Sequence, residues 1–461
     1  MPDLHHVTTI ALGLSGAVLA ALALIALFRL VRFIRADRPT RTNLRTASRI
    51  RRNWRHLASA LSLEATDRIP TTMAQLTTKT GQKPEPRTLT PSLRTRVDAA
   101  GVTVFMNTVP GVGLEKVTAV TDDLANAWEC ARVSVSQERP GLLKLRAVRT
   151  DPLGETTHYV PDGTAPAELT VWPLGVDEYG DSVPVALSNV PGVCVAGLPG
   201  YGKTSLINAF IARYAPSDAV QFAVADGKAS TPAQGDYADA AGRLFAFTGD
   251  DLEDANKLFA RLVQLRCDRM DHIRAETGSG NFWETGPSRS WPLAVLIIDE
   301  AQTFFQQPKG NDPKTKRLAA LAAENVRLVE DLVKKGRSVG IVTILATQKP
   351  TGDAIPTAIR DVCPVGLSFA QRTAEGAVAA LGDDIRKAKD ADPCTLQDPA
   401  YVGVASMRTP GRSGFTRVRT PLTTSEDTAR VTAASAYLTA DPATLLPRGE
   451  GPDPADFTKA A

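Results

Sequence analysis

Apolar and polar positions follow three regimes along this 461-residue chain. The first is an apolar run at 7–28 that carries no charge. About 22 residues at 1.5 Å each can cross a hydrocarbon core of ~30 Å, so the run predicts one transmembrane helix. The second regime, 95–187, mixes short alternating stretches with one helical stretch. Residues 102–105, 131–135 and 142–148 read as strands, 122–131 as a helix, and 171–187 as a hairpin with Gly175, Asp177, Gly180 and Asp181 at its turns. The third regime, 188–440, alternates continuous apolar runs with amphipathic stretches. Strands are expected at 193–196, 220–225, 291–298, 341–346 and 365–370, and helices at 205–214, 251–274, 318–335 and 424–438. This is the pattern of an α/β fold. Residues 29–94 form a basic juxtamembrane segment, then from 56 a helix followed by a Thr/Pro/Lys-rich linker in which Pro70, Pro84, Pro86 and Pro91 break any period, and 441–461 is a Pro/Gly/Asp-rich tail expected to be disordered. The domain plan is thus 1–6 outside the membrane, 7–28 spanning it, 29–94 juxtamembrane, 95–187 a small α/β domain, 188–440 the main domain and 441–461 the tail.

Candidate chemistry enters at the ends of the apolar runs. Gly197, Leu198, Pro199, Gly200, Tyr201, Gly202, Lys203, Thr204 and Ser205 follow one such run and open a helix, satisfying G-x-x-x-x-G-K-[ST] in its strand–loop–helix setting. The glycines allow successive N–H groups to turn inward on phosphate oxygens, and the helix N-terminus adds partial positive charge. Lys203 is placed to reach the β- and γ-phosphates of ATP, and Thr204 to ligate Mg2+, while Ser205 belongs to the first helical turn. The run 291–298 ends in Asp299 and Glu300, a metal-holding carboxylate followed by one placed to orient and deprotonate water. The strand at 341–346 ends in Thr347 and Gln348, a neutral amide suited to sensing nucleotide state. Asp226 and Lys228 close another run, where they either border the nucleotide or a subunit interface or form a plain turn. The polar, basic stretch 306–317 is either a DNA-backbone contact or a solvated loop.

Charge changes the picture only near the start. Residues 29–55 carry ten arginines against one aspartate, a local +9 in a chain of net +3, so the remainder is −6. Arginines directly after an apolar span place the C-terminal bulk in the cytoplasm and the N-terminus outside. Membrane topology and contact with an acidic leaflet account for them better than a dedicated DNA site. The five cysteines show no C-x-x-C or His-paired spacing and read as reduced thiols, so neither a zinc site nor a disulfide framework is indicated.

The phosphate loop, the Leu296 to Glu300 strand end, Lys335-Gly336-Arg337 and the strand end at Gln348 together resemble the FtsK/SpoIIIE DNA translocases. Asp226-Gly227-Lys228, Trp291-Pro292, Arg149-Thr150-Asp151-Pro152-Leu153 and Phe415-Thr416-Arg417-Val418-Arg419 are similar to the subgroup encoded on conjugative plasmids and integrative elements of mycelium-forming bacteria, the TraB-like transfer proteins. The resemblance implies a RecA-like P-loop NTPase motor, a homo-hexameric ring around double-stranded DNA, and an arginine supplied across the subunit interface. Arg337 matches the family's Gly-Arg position, while Arg360 and Arg372 lie on later loops that could also reach the interface, Arg372 ranking with Arg337. The sequence Thr373-Ala374-Glu375-Gly376-Ala377 departs from the Asp-Ser-Arg of better-known members. No C-terminal winged-helix domain is expected, which implies DNA contact without sequence choice or recruitment by another transfer protein.

The reading is a membrane-anchored, ATP-dependent double-stranded DNA translocase for conjugative transfer. Its rivals are chromosome segregation at division, a same-superfamily ATPase moving single-stranded DNA or protein, and a nucleotide-gated membrane scaffold. One phosphate loop argues against secretion ATPases with tandem motors, and Glu300 argues against a scaffold that does not hydrolyse.

Overall fold

A computed structural model describes residues 31, 33–67, 87–348, 350–352, 354–408 and 414–446. The expected terminal segment and span, 1–28, and most of the expected tail, 447–461, lie outside the described residues. Among the described residues no helix is long and apolar enough to cross a membrane. The chain divides into two compact units, Met1–Pro152 and Leu153–Ala461.

In the first unit, helix α1 (Arg38–Ala60) and helix α2 (Thr121–Trp128) accompany a four-stranded antiparallel sheet. A short pair, β1 (Ala65–Asp67) with β2 (Arg87–Leu89), stands apart from it. The sheet runs β3 (Leu93–Val97), β4 (Gly101–Asn107), β6 (Leu142–Val148), β5 (Arg132–Arg139). Val102, Val104 and Met106 alternate onto one face of β4 and pack with Leu143, Leu145 and Ala147 of β6, Leu124 and Trp128 of α2, and Ile50, Trp54 and Ala58 of α1. The helix expected from residue 56 therefore begins earlier, at Arg38 within the basic segment, and belongs to this domain rather than to a linker. Its inward stripe, Asn43, Thr46, Ala47, Ile50, Trp54 and Ala58, recurs every three to four residues. Asn43 Nδ2 donates to the carbonyls of Asp98 and Ala99, and Trp54 Nε1 to that of Pro91. Arg38, Arg41, Arg45, Arg51, Arg52 and Arg55 remain exposed on the outer face.

The second unit is built on a ten-stranded sheet. Its strands are β7 (Val171–Asp177), β8 (Ser182–Ala186), β9 (Gly192–Ala196), β10 (Val220–Asp226), β11 (Leu244–Thr248), β12 (Leu293–Asp299), β13 (Ile341–Thr347), β14 (Val365–Ser368), β15 (Val404–Arg408) and β16 (Phe415–Arg419). The order is β11-β10-β12-β13-β9-β14-β15-β16-β7-β8, with the first six parallel and the rest antiparallel. Every residue of β9, β10, β12 and β13 is buried, which is why their sequences run apolar without alternation. Connecting helices include α3 (Lys203–Tyr214), α4 (Leu252–Thr277) and α5 (Pro313–Lys335); α6 (Ala374–Leu381) and α7 (Ser425–Ala434) follow.

Two expected boundaries move. The hairpin β7–β8 was expected to close the small domain at 187, yet β16 pairs with β7 through Val418–Asp177 and Arg419–Val176, so the hairpin extends the large sheet and the division falls at Pro152. The second half of the loop expected at 306–317 is helical, because Asp312 caps α5 by accepting the Thr315 N–H at 2.9 Å and Pro313 suits its first position.

Candidate functional site

The strand order puts the chemically marked strand ends side by side. β13 lies between β9, which leads into the phosphate loop, and β12, which ends in Asp299. Gln348 therefore emerges between the strand end that leads to Lys203 and the one that carries Glu300. In the loop, Gly197, Gly200 and Gly202 all have positive φ, at 147°, 78° and 113°. A Cβ at Gly197 would also lie 2.6 Å from that of Phe369. Leu198 N–H donates to the Ala370 carbonyl at 2.9 Å, and the Tyr201 hydroxyl to that of Gln397 at 2.8 Å, so both loop residues anchor the cradle from outside. No side chain caps α3, which leaves its first N–H groups directed at the cradle.

Lys203 folds over this loop, its ammonium donating to the carbonyls of Gly197 at 2.7 Å and Leu198 at 2.9 Å. Burial lowers the ammonium's pKa to about 8, against the opposing pull of Asp299. Thr204 Oγ1 donates to Asp236 Oδ2 at 3.4 Å. Ser205 lies within the first turn of α3, as expected.

At the end of β12, Asp299 is buried. Its Oδ1 accepts the Glu300 N–H at 2.8 Å, and its Oδ2 accepts from Lys228 at 3.1 Å and from the Tyr237 hydroxyl at 3.2 Å. Glu300 takes a left-handed conformation, φ 51°, one of the few non-glycine residues to do so among those described. Such a conformation costs of order 1 kcal/mol and turns the side chain off the strand direction. Both Glu300 carboxylate oxygens are buried. Burial and Asp299 raise its pKa, opposed by Lys228, the Gln348 N–H and Lys203.

Asp226 and Lys228, left between ligand and turn by the sequence, join the site. The register of β10 on β12 pairs Asp226 with Asp299. Asp226 Oδ1 accepts the Lys228 N–H at 3.0 Å, while its buried Oδ2 has no hydrogen-bond partner. Burial raises its pKa, and Asp299 adds to the effect. Lys228 also meets Asp236 at 3.3 Å; burial lowers its pKa, but the two aspartates more than offset that. Asp236 and Tyr237 went unseen in sequence, because they sit in a polar Ala/Gly stretch with no period to mark them.

The two candidate arginines separate. Arg372 is exposed on the segment after β14, lining a groove with Leu198, Pro199 and Gln348. Arg337 precedes β13 at the opposite end of the sheet, donating to the Ser188 carbonyl at 2.7 Å. Seven residues of β13 separate it from the loop side, roughly 23 Å at 3.3 Å per residue. Within one subunit the fold does not bring it to the site.

Among the described residues no three His, Cys, Asp or Glu side chains cluster to hold a metal by themselves. A divalent cation bound with a nucleotide needs fewer, because phosphate oxygens and water complete its shell. The Thr204 hydroxyl and the Asp299 carboxylate are hard oxygen donors suited to it. The buried oxygens of Asp226 and Glu300 and the uncapped start of α3 fit a polar, phosphorylated ligand with its cation.

Comparison with known proteins bears on the family and the fold. Residues 39–149 match a family profile described as the actinomycete conjugal transfer protein N-terminal domain. The DNA translocase FtsK of Mycobacterium tuberculosis is 26% identical over 294 residues, which is 57% of this chain and 32% of that protein. The DNA translocase SftA of Bacillus subtilis is 24% identical over 292 residues, 56% of this chain and 27% of its own. The chain thus spans about a third or less of the length of these curated relatives. The pCW3 conjugation coupling protein TcpA, solved as a monomer with ATPγS, superposes with a TM-score of 0.51 at 17% identity, over 75% of this chain and 94% of that one, and shares the fold. The likeness carried by the phosphate loop, the Asp299-Glu300 pair and the Gln348 strand end is borne out: this chain is similar to the FtsK-type DNA translocases and carries an N-terminal domain of the actinomycete conjugal transfer type.

Proposed function

We propose that this protein is an ATPase that uses ATP and Mg2+ at the β9–β12–β13 strand ends to move double-stranded DNA during conjugal transfer. The loop N–H groups and Lys203 bind the phosphates, and Lys203 exchanges its two carbonyl partners for phosphate oxygens. Thr204 and Asp299 would hold the Mg2+, whose chemistry is to neutralise charge developing on the phosphates. Glu300, buried and raised in pKa, orients a water and accepts its proton. Gln348 lies where a side-chain amide meets that water or the γ-phosphate. The observation that carries the reading is the insertion of β13 between β9 and β12, which sets Gln348 between the strand end that leads to the phosphate-binding lysine and the one that carries the water-activating carboxylate.

DNA as the substrate is supported by the FtsK and SftA relatives, and the transfer role by the profile matched at 39–149. Membrane anchoring by 7–28, with the motor in the cytoplasm, is supported by the apolar run and the exposed arginines of α1. A homo-hexamer with Arg372 reaching a neighbour's nucleotide completes the proposal. The test is ATP hydrolysis by the detergent-solubilised full chain with long linear duplex, with single-stranded DNA and without nucleic acid, using Lys203→Ala as the blank. Strong stimulation by duplex that the blank lacks is expected. Equal, weak turnover in all three would shift the reading to a scaffold or to protein transport.

A further inference from the structure

Lys228 stands between two carboxylates beside the phosphate loop, Asp299 and Asp236. Its ammonium donates to Asp299 Oδ2 at 3.1 Å and to Asp236 Oδ2 at 3.3 Å, and Asp236 Oδ2 lies 3.4 Å from the Thr204 hydroxyl. The Asp299 side chain is 1% exposed, and a carboxylate so far from water is costly unless an opposite charge meets it. Lys228 provides that charge.

The backbone fixes the lysine there. Gly227 N–H donates to the Asp299 carbonyl at 3.0 Å, and Thr303 Oγ1 donates to the Gly227 carbonyl at 3.1 Å. The turn after β10 is thereby fastened to the turn after β12. A divalent cation entering with a nucleotide would use the same oxygens, the Thr204 hydroxyl and the Asp299 carboxylate. Two positive charges therefore contend for one place.

We propose that Lys228 is a positioning residue: an internal counter-ion that holds Asp299 and Asp236 in place until Mg2+ arrives with the nucleotide, and that the metal must displace. The inference rests on the nucleotide-site reading above and deepens it. Competition gives the effect a definite sign. Removing the lysine charge leaves the two carboxylates more negative, so the metal binds more readily. A residue that merely supported the fold would change metal binding in the opposite sense, or leave it alone.

The test is binding of a fluorescent, non-hydrolysable ATP analogue to the full chain in detergent, titrated with Mg2+. Half-saturating Mg2+ should fall by roughly tenfold in Lys228→Gln and return toward the original value in Lys228→Arg, which restores the charge. It should rise in Asp236→Asn. A Lys228→Gln protein with an unchanged or higher Mg2+ requirement would overturn the inference. Should that variant fail to fold, Lys228→Met keeps the aliphatic stem and carries the same expectation and the same refutation. The unvaried protein and Lys203→Ala separate the two readings. Absence of Mg2+-dependent binding in the former would remove the nucleotide site itself, whereas its presence leaves the Lys228 result to decide this inference alone.

Discussion

Lys203 turns back on its own loop, its ammonium 2.7 Å from the Gly197 carbonyl, so the charge meant for phosphate is held at the cradle by the peptide that forms it. The pKa of that ammonium, about 8, gives nucleotide binding a pH dependence. An anion stabilises the charged lysine, so affinity should be level below about pH 8 and weaken above it, approaching tenfold per unit. Fold stability runs the other way: the unfolded lysine titrates near 10.5, so the unfolded chain holds more protons between about 8 and 10.5, and stability rises with pH across that window. Nucleotide dissociation constants from about pH 6.5 to 9.5 would show the break. Lys203→Arg, which does not titrate there, should lack it; a level profile through pH 9.5 in the unvaried protein would refute the assignment.

Glu300 combines a left-handed backbone with a buried carboxylate whose pKa is raised, first by burial. Between the ordinary and the raised value the folded protein holds more protons than the unfolded, so this group's stability contribution is lost as pH rises through that window. Glu300→Gln should therefore bind nucleotide normally, lose about 10²- to 10⁴-fold in turnover, and melt at a higher temperature. The gain should be larger at neutral pH than at pH 5. An unchanged or lower melting point at neutral pH would show that the buried charge is better compensated than its surroundings indicate.

The parts legible in sequence were those where chemistry restricts residue type at a strand end. Gly197 to Thr204 and Asp299-Glu300 announce themselves because a phosphate cradle and a metal-plus-water pair tolerate few alternatives. The core strands were equally plain, since burial on both faces leaves uninterrupted apolar runs. The hairpin β7–β8 was misplaced for a physical reason: its partner β16 lies some 240 residues away, and no local signal records a pairing such as Val418 with Asp177. Only the last turn of helix α1 was legible, because its inward stripe begins with Asn43 and Thr46, polar residues whose burial depends on partners such as the Asp98 carbonyl. Lys228 stayed undecided because a strand-end turn and a salt bridge to Asp299 use the same residues.

Arg337 and Arg372, equal in sequence, should part in experiment. Arg337 donates to the Ser188 carbonyl and its own carbonyl accepts from Trp283 Nε1 at 2.8 Å, so it ties elements at the end of the sheet away from the phosphate loop. Arg337→Ala should cost about 1–3 kcal/mol of stability. Arg372 is exposed beside the loop, so Arg372→Ala should leave melting and nucleotide binding unchanged while duplex-stimulated turnover falls by about 10³-fold or more, the loss typical of a missing arginine finger. If Arg337→Ala abolished stimulated turnover without destabilising the protein, the roles would be reversed.

At Gly227 the Lys228 turn lies directly against the Glu300 turn. A Cβ there would lie 2.7 Å from Thr303 Oγ1, 2.8 Å from Thr303 Cβ and 2.9 Å from the Glu300 carbonyl oxygen. A β-branched side chain and a backbone carbonyl cannot retreat as the tip of a flexible chain would, so the strain must be relieved by parting the two turns. Gly227→Ala should therefore cost about 1–3 kcal/mol, lowering the melting temperature by several degrees. The phosphate loop is built from β9 and α3 and stands clear of the clash, so nucleotide affinity should change little. Turnover should drop well beyond what lost stability explains, because the displaced carbonyl belongs to Glu300 itself. Calorimetry, nucleotide binding and turnover on the same preparation check this. Equal losses in affinity and turnover would mean that the disturbance spreads across the sheet rather than staying at the joined turns.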